Sequence, residues 1–151
     1  MAVGGTVSKP IWVKDGMYLS CTADNAVTLG NVVRITTTGT DTVDVGRAAS
    51  NHDTILGVAV GGDRYSRTAT DNTIAAGSKV TVATRGIVYV YTGTSAILAG
   101  SYVEAGAAGI VELAGTSGYN IASAGFGDVL GIALDANGGA ATTIRVKLMR
   151  G

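Results

Sequence analysis

Asp128-Val129-Leu130-Gly131-Ile132-Ala133-Leu134-Asp135 has a near twin earlier in the chain, Thr54-Ile55-Leu56-Gly57-Val58-Ala59-Val60-Gly61. As strands, both put successive side chains on opposite faces. One face then carries Leu130, Ile132 and Leu134, matched by Leu56, Val58 and Val60. The other carries Val129, Gly131 and Ala133, matched by Ile55, Gly57 and Ala59. Neither face is polar, the pattern of a strand covered on both sides. The bulky face suits a core, and the small face lets another layer of chain come close. A chain that uses this device twice is expected to be built around a doubly covered β-core.

Composition agrees. The 151 residues include 23 Gly but one Pro, one Phe and one Trp, and only 15% are charged. Short runs of Val, Ile, Thr and Tyr alternate with Gly, Asn, Asp and Ser, which reads as an all-β chain with many turns. Eleven basic residues balance eleven acidic ones, so no net field draws the chain to nucleic acid or an anionic membrane. A chain this apolar, with a mean hydropathy of +0.34, and this poor in charge points to surface hidden in an oligomer or a permanent partner. The single cysteine, Cys21, rules out an internal disulfide framework. Residues 1–5 show no basic segment followed by an apolar one, so no cleaved signal peptide is expected, nor any membrane-spanning helix.

In chain order, residues 1–12 read as an irregular N-terminal arm and residues 13–151 as one β-domain. The arm ends in an apolar patch, Ile11-Trp12-Val13. A first strand follows, with Met17, Leu19 and Cys21 on its apolar face. Strands are expected over residues 27–35 and 42–45, then a polar loop over 46–54. A second polar loop, residues 61–72, holds Asp63, Arg64, Tyr65 and Arg67. Residues 79–83 and 87–91 read as a hairpin turning at Thr84-Arg85-Gly86, with Gly86 at positive φ. The second half repeats the first. Ile97-Leu98-Ala99-Gly100-Ser101-Tyr102-Val103 echoes Val27-Thr28-Leu29-Gly30-Asn31-Val32-Val33, and Ile74-Ala75-Ala76-Gly77-Ser78-Lys79-Val80 is a shorter third echo. Two such copies fit the halves of one small barrel or sandwich. The last strand, residues 143–149, alternates Ile144, Val146 and Leu148 with Arg145 and Lys147.

Catalytic groups are scarce. His52, in Ser50-Asn51-His52-Asp53, is the only histidine, and neighbours in sequence rarely have triad geometry. One His and one Cys are too few for a nitrogen- or sulfur-ligated zinc site, and Cys21 reads as buried filler. Asp135-Ala136-Asn137-Gly138 lacks the later acidic ligands of a calcium loop and reads as a turn. Asp41 and Asp44 are explained as turn and edge residues. Gly77-Ser78-Lys79 lacks the rest of a phosphate-binding loop. Arg64, Tyr65 and Arg67 read as a solvated or partner-facing loop. No enzyme, cofactor or metal site is expected.

Leu29-Gly30-Asn31-Val32-Val33, Leu56-Gly57-Val58-Ala59, Ala76-Gly77-Ser78-Lys79-Val80, Arg85-Gly86-Ile87-Val88, Ala99-Gly100-Ser101-Tyr102-Val103, Leu130-Gly131-Ile132-Ala133 and Thr143-Ile144-Arg145-Val146-Lys147-Leu148 follow one another in a telling order. In that order, from about residue 27 to the C-terminus, the chain resembles the tailed-bacteriophage capsid decoration, or cement, proteins with a small β-barrel (β-tulip) domain. The resemblance implies a structural virion protein, made in the host cytoplasm, that binds the exterior of an expanded icosahedral capsid. It further implies a homotrimer whose partner is the major capsid protein and whose role is to stabilise contacts between shell subunits. On that reading Pro10, Ile11 and Trp12 are the expected capsid or inter-subunit contacts, because large aromatics dominate interface energetics. The alternative is a carbohydrate-binding head-fibre or adhesin-like module, for which Tyr65, Tyr89, Tyr91, Tyr102 and Tyr119 would supply a platform.

Overall fold

β7 (Lys79–Tyr91) is the longest strand among the described residues, and the others are arranged around it. The computed structural model describes residues 14–36, 44–49, 54–62, 72–114 and 129–149. Before β7 come β1 (Lys14–Ala23), β2 (Val27–Thr28), β3 (Val32–Thr36), β4 (Asp44–Arg47), β5 (Ile55–Gly62) and β6 (Thr73–Ile74). After it come β8 (Tyr102–Ala105), a 3-10 turn (Ala107–Gly109), β9 (Val111–Leu113), β10 (Val129–Ala133) and β11 (Thr143–Leu148). Residues 1–13, His52 and the Arg64–Tyr65–Arg67 cluster lie outside the described residues, as does Tyr119.

One sheet runs β1-β4-β3-β5-β7-β11-β10-β8-β9, and β1 also pairs with β7, which closes a five-strand barrel from β1, β4, β3, β5 and β7. The remaining strands repeat that barrel. Val32↔Val58 and Val33↔Gly57 between β3 and β5 are matched by Tyr102↔Ile132 and Val103↔Gly131 between β8 and β10. Ala59↔Val82 between β5 and β7 is matched by Ala133↔Val146 between β10 and β11. Ala23↔Val45, the parallel contact of β1 with β4, is matched by the single parallel bridge Thr92↔Val111. Residues 79–85 of β7 therefore serve the first half, and residues 86–91 play in the second half the part that β1 plays in the first. The expected two similar halves are present, and β7 is common to both.

Three glycine turns are set into this frame in one way. Gly30, Gly77 and Gly100 all have positive φ, which glycine adopts without steric cost. Each turn closes by a backbone bond across it: Asn31 N to Thr28 O at 3.0 Å, Ser78 N to Ala75 O at 3.2 Å, Ser101 N to Leu98 O at 3.2 Å. Each then docks on a buried alanine by two backbone bonds. Gly30 N donates to Ala59 O (2.8 Å) and Ala59 N to Asn31 O (3.0 Å). Gly77 with Ser78 binds Ala23 at 2.7 and 2.9 Å, and Gly100 with Ser101 binds Ala133 at 2.7 and 2.9 Å. The shorter third echo is thus a full structural equivalent, with β1 supplying its alanine.

The core forms two clusters. Cys21, Ala23, Val27, Leu29, Val33, Val45, Ala59, Ile74, Val80 and Val82 fill the first barrel. The second cluster includes Val90, Ile97, Val103, Val111, Ala133, Ile144 and Val146 inside the second half, and reaches Val32, Val58 and Ala83, on which the second half packs. β5 is accordingly buried on both faces, as its sequence implies. The strict alternation does not hold, however. Leu130 shares a cluster with Ala133, and Ile55 shares one with Val58. The ladders explain it: the register slips between Val129 and Gly131, and at the matching place between Val33 and Arg34. A bulge at Leu56 and another at Leu130 turn the next side chains to the opposite face.

Two further expectations are corrected. Residues 79–91 form one strand, not a hairpin. Gly86 has the anticipated positive φ, +110°, but it bends the strand where its ladder passes from β5 to β11. β4 extends to Arg47 and Ala48 is buried, so the polar loop starts later than residue 46.

Candidate interaction surface

Buried polar chemistry in the chain serves the fold. Cys21 is 2% exposed inside the first barrel; burial pushes its thiol up from its ordinary range, Lys79 opposing and Asp44 adding to the shift. That suits inert filler rather than a nucleophile. Lys79 of the Gly-Ser-Lys turn reaches across to β1, where its Nζ donates to Thr22 Oγ1 at 3.1 Å. Asp135 takes Arg145 in a two-pronged pair, Nη2 to Oδ1 at 2.7 Å and Nε to Oδ2 at 2.9 Å, and accepts from Arg145 N at 2.9 Å. Asn137 is buried and holds the following turn through its side-chain amide. The Asp135-Ala136-Asn137-Gly138 stretch is therefore a pinned turn, as its sequence suggests. No group of three or more metal-ligating side chains occurs among the described residues. No helix among them is long and apolar enough to cross a membrane.

One carboxylate pair, with one member buried and the other half-buried, was not legible in advance. Glu104 and Glu112 face each other across β8 and β9, and Glu104 is 2% exposed. Burial first, and then the charge of Glu104, raise Glu112 above the usual carboxylate range. A carboxyl whose value is raised by folding favours the folded state while protonated, and that contribution is lost as pH rises through the raised value. Glu112→Gln is therefore expected to stabilise the protein near neutral pH by a few tenths to about 1 kcal/mol, the scale of a like-charge cross-strand pair. The gain should shrink towards about pH 4, which melting curves at the two pH values would show.

The surface points elsewhere. Met17, Tyr18 and Leu19 are 57%, 50% and 49% exposed, although the sequence pattern put Met17 and Leu19 on a core face. They project because this part of β1 pairs with residues 82–85 of β7 at the rim of the first barrel. Among the described residues no strand flanks β1 on its other side before Thr22. The internal repeat shows what is missing. Leu19↔Val82 in the first half corresponds to Val88↔Val146 in the second, and Val88 is 0% exposed. A position covered in one half is open in the other. It follows the Ile11-Trp12-Val13 segment in sequence, with residues 14–18 between them. Of the tyrosines proposed as a platform, Tyr89 and Tyr91 are half-buried across from Arg145 and Thr143, and Tyr102 is exposed on β8.

Residues 2–148 match the family model described as structural cement protein (E217 gp24/Pam3 gp6). The chain belongs to that family. It is a family of phage structural proteins, described as cement proteins, and not a family of enzymes. No curated protein sequence matches the chain. Among solved structures, it is similar to the N base of head fiber gp8.5 of bacteriophage phi29, with a TM-score of 0.57 at 14% identity over 90% of this chain and 96% of that one. At that identity the likeness is one of fold.

Proposed function

We propose that this cement-family chain is a virion protein bound to the exterior of an expanded icosahedral phage capsid, where it stabilises contacts between major capsid protein subunits. The observation that carries the attachment site is the open rim of the first barrel: Leu19 is half-exposed where its counterpart Val88 is sealed. Met17 and Tyr18 extend the same apolar patch, and the arm residues Pro10, Ile11 and Trp12 precede it in sequence. The arm, residues 1–12, and this rim act together as the shell-binding end, and the homotrimer multiplies modest contacts through effective concentration.

Mass in solution and cosedimentation with empty expanded capsids of the cognate phage test the reading. The wild-type chain should behave as a trimer and pellet with the shells. Replacing Met17, Tyr18 and Leu19 together by serine should weaken pelleting roughly tenfold to a hundredfold, the range for loss of one or two strong interface anchors. The melting temperature should stay near wild type because none of the three is buried. Deleting residues 1–12 should also release the chain from the shell. Wild-type protein left in the supernatant would sink the proposal.

A further inference from the structure

A cavity of about 570 Å3 opens where the two halves meet, lined by Asn25, Arg34 and Arg47 with four alanines between them. Its walls come from both halves. Arg34 of β3 lies opposite Gly46, and Arg47 of β4 is one residue further along that ladder. Gly46 has no side chain, which lets Asn25 from the β1–β2 turn close over β4; a Cβ there would meet Asn25 Nδ2 at 3.1 Å. Asn25 Oδ1 in turn accepts from Arg47 N at 3.4 Å.

The second half supplies the 3-10 turn. Gly109 N donates to Ala48 O at 2.8 Å, and Gly109 packs so tightly on Arg47 that a Cβ would fall 2.6 Å from Arg47 Cγ. The aliphatic stem of Arg47 is thereby held in place while its exposed guanidinium takes no partner among the described residues. Holding the stem beforehand lowers the entropy lost when the head group binds. Ala108, on the cavity wall, sits in the left-handed region at φ +59°, a conformation that non-glycine residues hold only where the surroundings enforce it.

We propose that this cavity seats the carboxylate side chain of an acidic segment on a neighbouring protein, with Arg47 as the contact residue and Arg34 as the inner wall. A guanidinium fork matches a carboxylate in two-point geometry. The alanines offer apolar contact to the methylene stem of a glutamate, and none of the described lining residues is acidic or aromatic. Among the described lining residues there is no aromatic ring on which a nucleobase or a sugar could stack. The cavity lies beyond the C-terminal end of β1, whereas the Met17–Tyr18–Leu19 patch lies towards the other end of the same strand. The two surfaces therefore address different neighbours. The carboxylate chemistry stands on its own; that the acidic segment belongs to a shell neighbour rests on the cement reading.

The free protein, isotope-labelled, would be titrated by NMR with a capped tri-glutamate peptide, a capped tri-glutamine peptide and inorganic phosphate at equal ionic strength. The backbone amides of Asn25, Arg47 and Ala108 should shift saturably with the glutamate peptide alone. Arg47→Gln should weaken that binding tenfold or more at an unchanged melting temperature, and Arg47→Lys should restore part of it. Absence of saturable shifts, equal binding by Arg47→Gln, or phosphate binding as well as the peptide would each overturn the site. In cosedimentation, Arg47→Glu should pellet several-fold less than wild type; equal pelleting overturns the assignment to the shell. Peptide binding without any pelleting of the wild type would sink the cement reading and leave the cavity standing.

Discussion

Gly131→Ala is expected to destabilise the protein by about 3 kcal/mol or more, lowering the melting temperature by roughly 10 °C, and Gly57→Ala should do the same. The cause is a close approach of backbone to backbone. A Cβ on Gly131 would fall on the carbonyl oxygen of Lys147, 2.9 Å from the carbonyl carbon and 2.9 Å from Val146 Cγ1. A Cβ on Gly57 would fall on the carbonyl oxygen of Ala83, 2.9 Å from its carbon and 3.1 Å from Val82 Cγ1. Both carbonyls belong to strands paired with the glycine's own strand, so neither can retreat without opening a ladder. Gly138→Ala is the control. Gly138 has φ +65° with nothing near its missing Cβ, so alanine there meets only the left-handed penalty of about 1–2 kcal/mol. If calorimetric melts put Gly131→Ala no lower than Gly138→Ala, the close approach is not what places glycine in these strands.

The same two glycines show what the sequence makes visible. Leu-Gly-Val-Ala and Leu-Gly-Ile-Ala stand out because one packing problem recurs, and one answer recurs with it: a strand pressed on a neighbour, an alanine two residues later receiving a glycine turn. The turns at Gly30, Gly77 and Gly100 are legible for the same reason, since only glycine takes their φ without cost. The third alanine, Ala23, is not. It receives Gly77 as Ala59 receives Gly30, yet the preceding Ser20-Cys21-Thr22 bears no likeness to Leu-Gly-Val. Backbone hydrogen bonds make the dock, and they leave little trace in side-chain identity.

β7 misleads by a related route. Thr84-Arg85-Gly86 has the composition of a hairpin turn, but a positive φ bends a strand as readily as it reverses one, and the choice depends on which strands lie alongside. Met17 and Leu19 carry the alternation of a core face, and whether such a face is covered depends on what else comes to it. The Arg34–Arg47 cavity joins a turn, two strands and a 3-10 turn from residues 25 to 108, a juxtaposition that no spacing along the chain encodes. The family resemblance holds, and Pro10, Ile11 and Trp12, its expected attachment residues, lie outside the described residues.

Asn137→Ala should cost about 3 kcal/mol, because this one side chain takes the place of a strand. In the first half Val27 is paired by a short ladder, β2 with β6, through Ile74. Its counterpart Ile97 has no such strand opposite it among the described residues. Instead Ile97 N donates to Asn137 Oδ1 at 2.8 Å, and Asn137 N donates to Ile97 O at 3.2 Å. Oδ1 also accepts from Gly139 N at 3.0 Å, while Nδ2 donates to Ser95 O at 2.7 Å and Gly93 O at 3.2 Å. Ile97 and Asn137 are 1% and 6% exposed, so groups released by alanine would regain little water. Each buried group left unpaired costs about 1–3 kcal/mol. Asn137→Asp separates accepting from donating: a carboxylate keeps both amide donors satisfied but turns a negative oxygen towards the Ser95 and Gly93 carbonyls. It should be destabilised at about pH 7 and recover part of the loss towards about pH 4, where a protonated oxygen can donate again. Melting curves for Asn137→Asp that match wild type at neutral pH would show that the amide's donated bonds do not hold this turn.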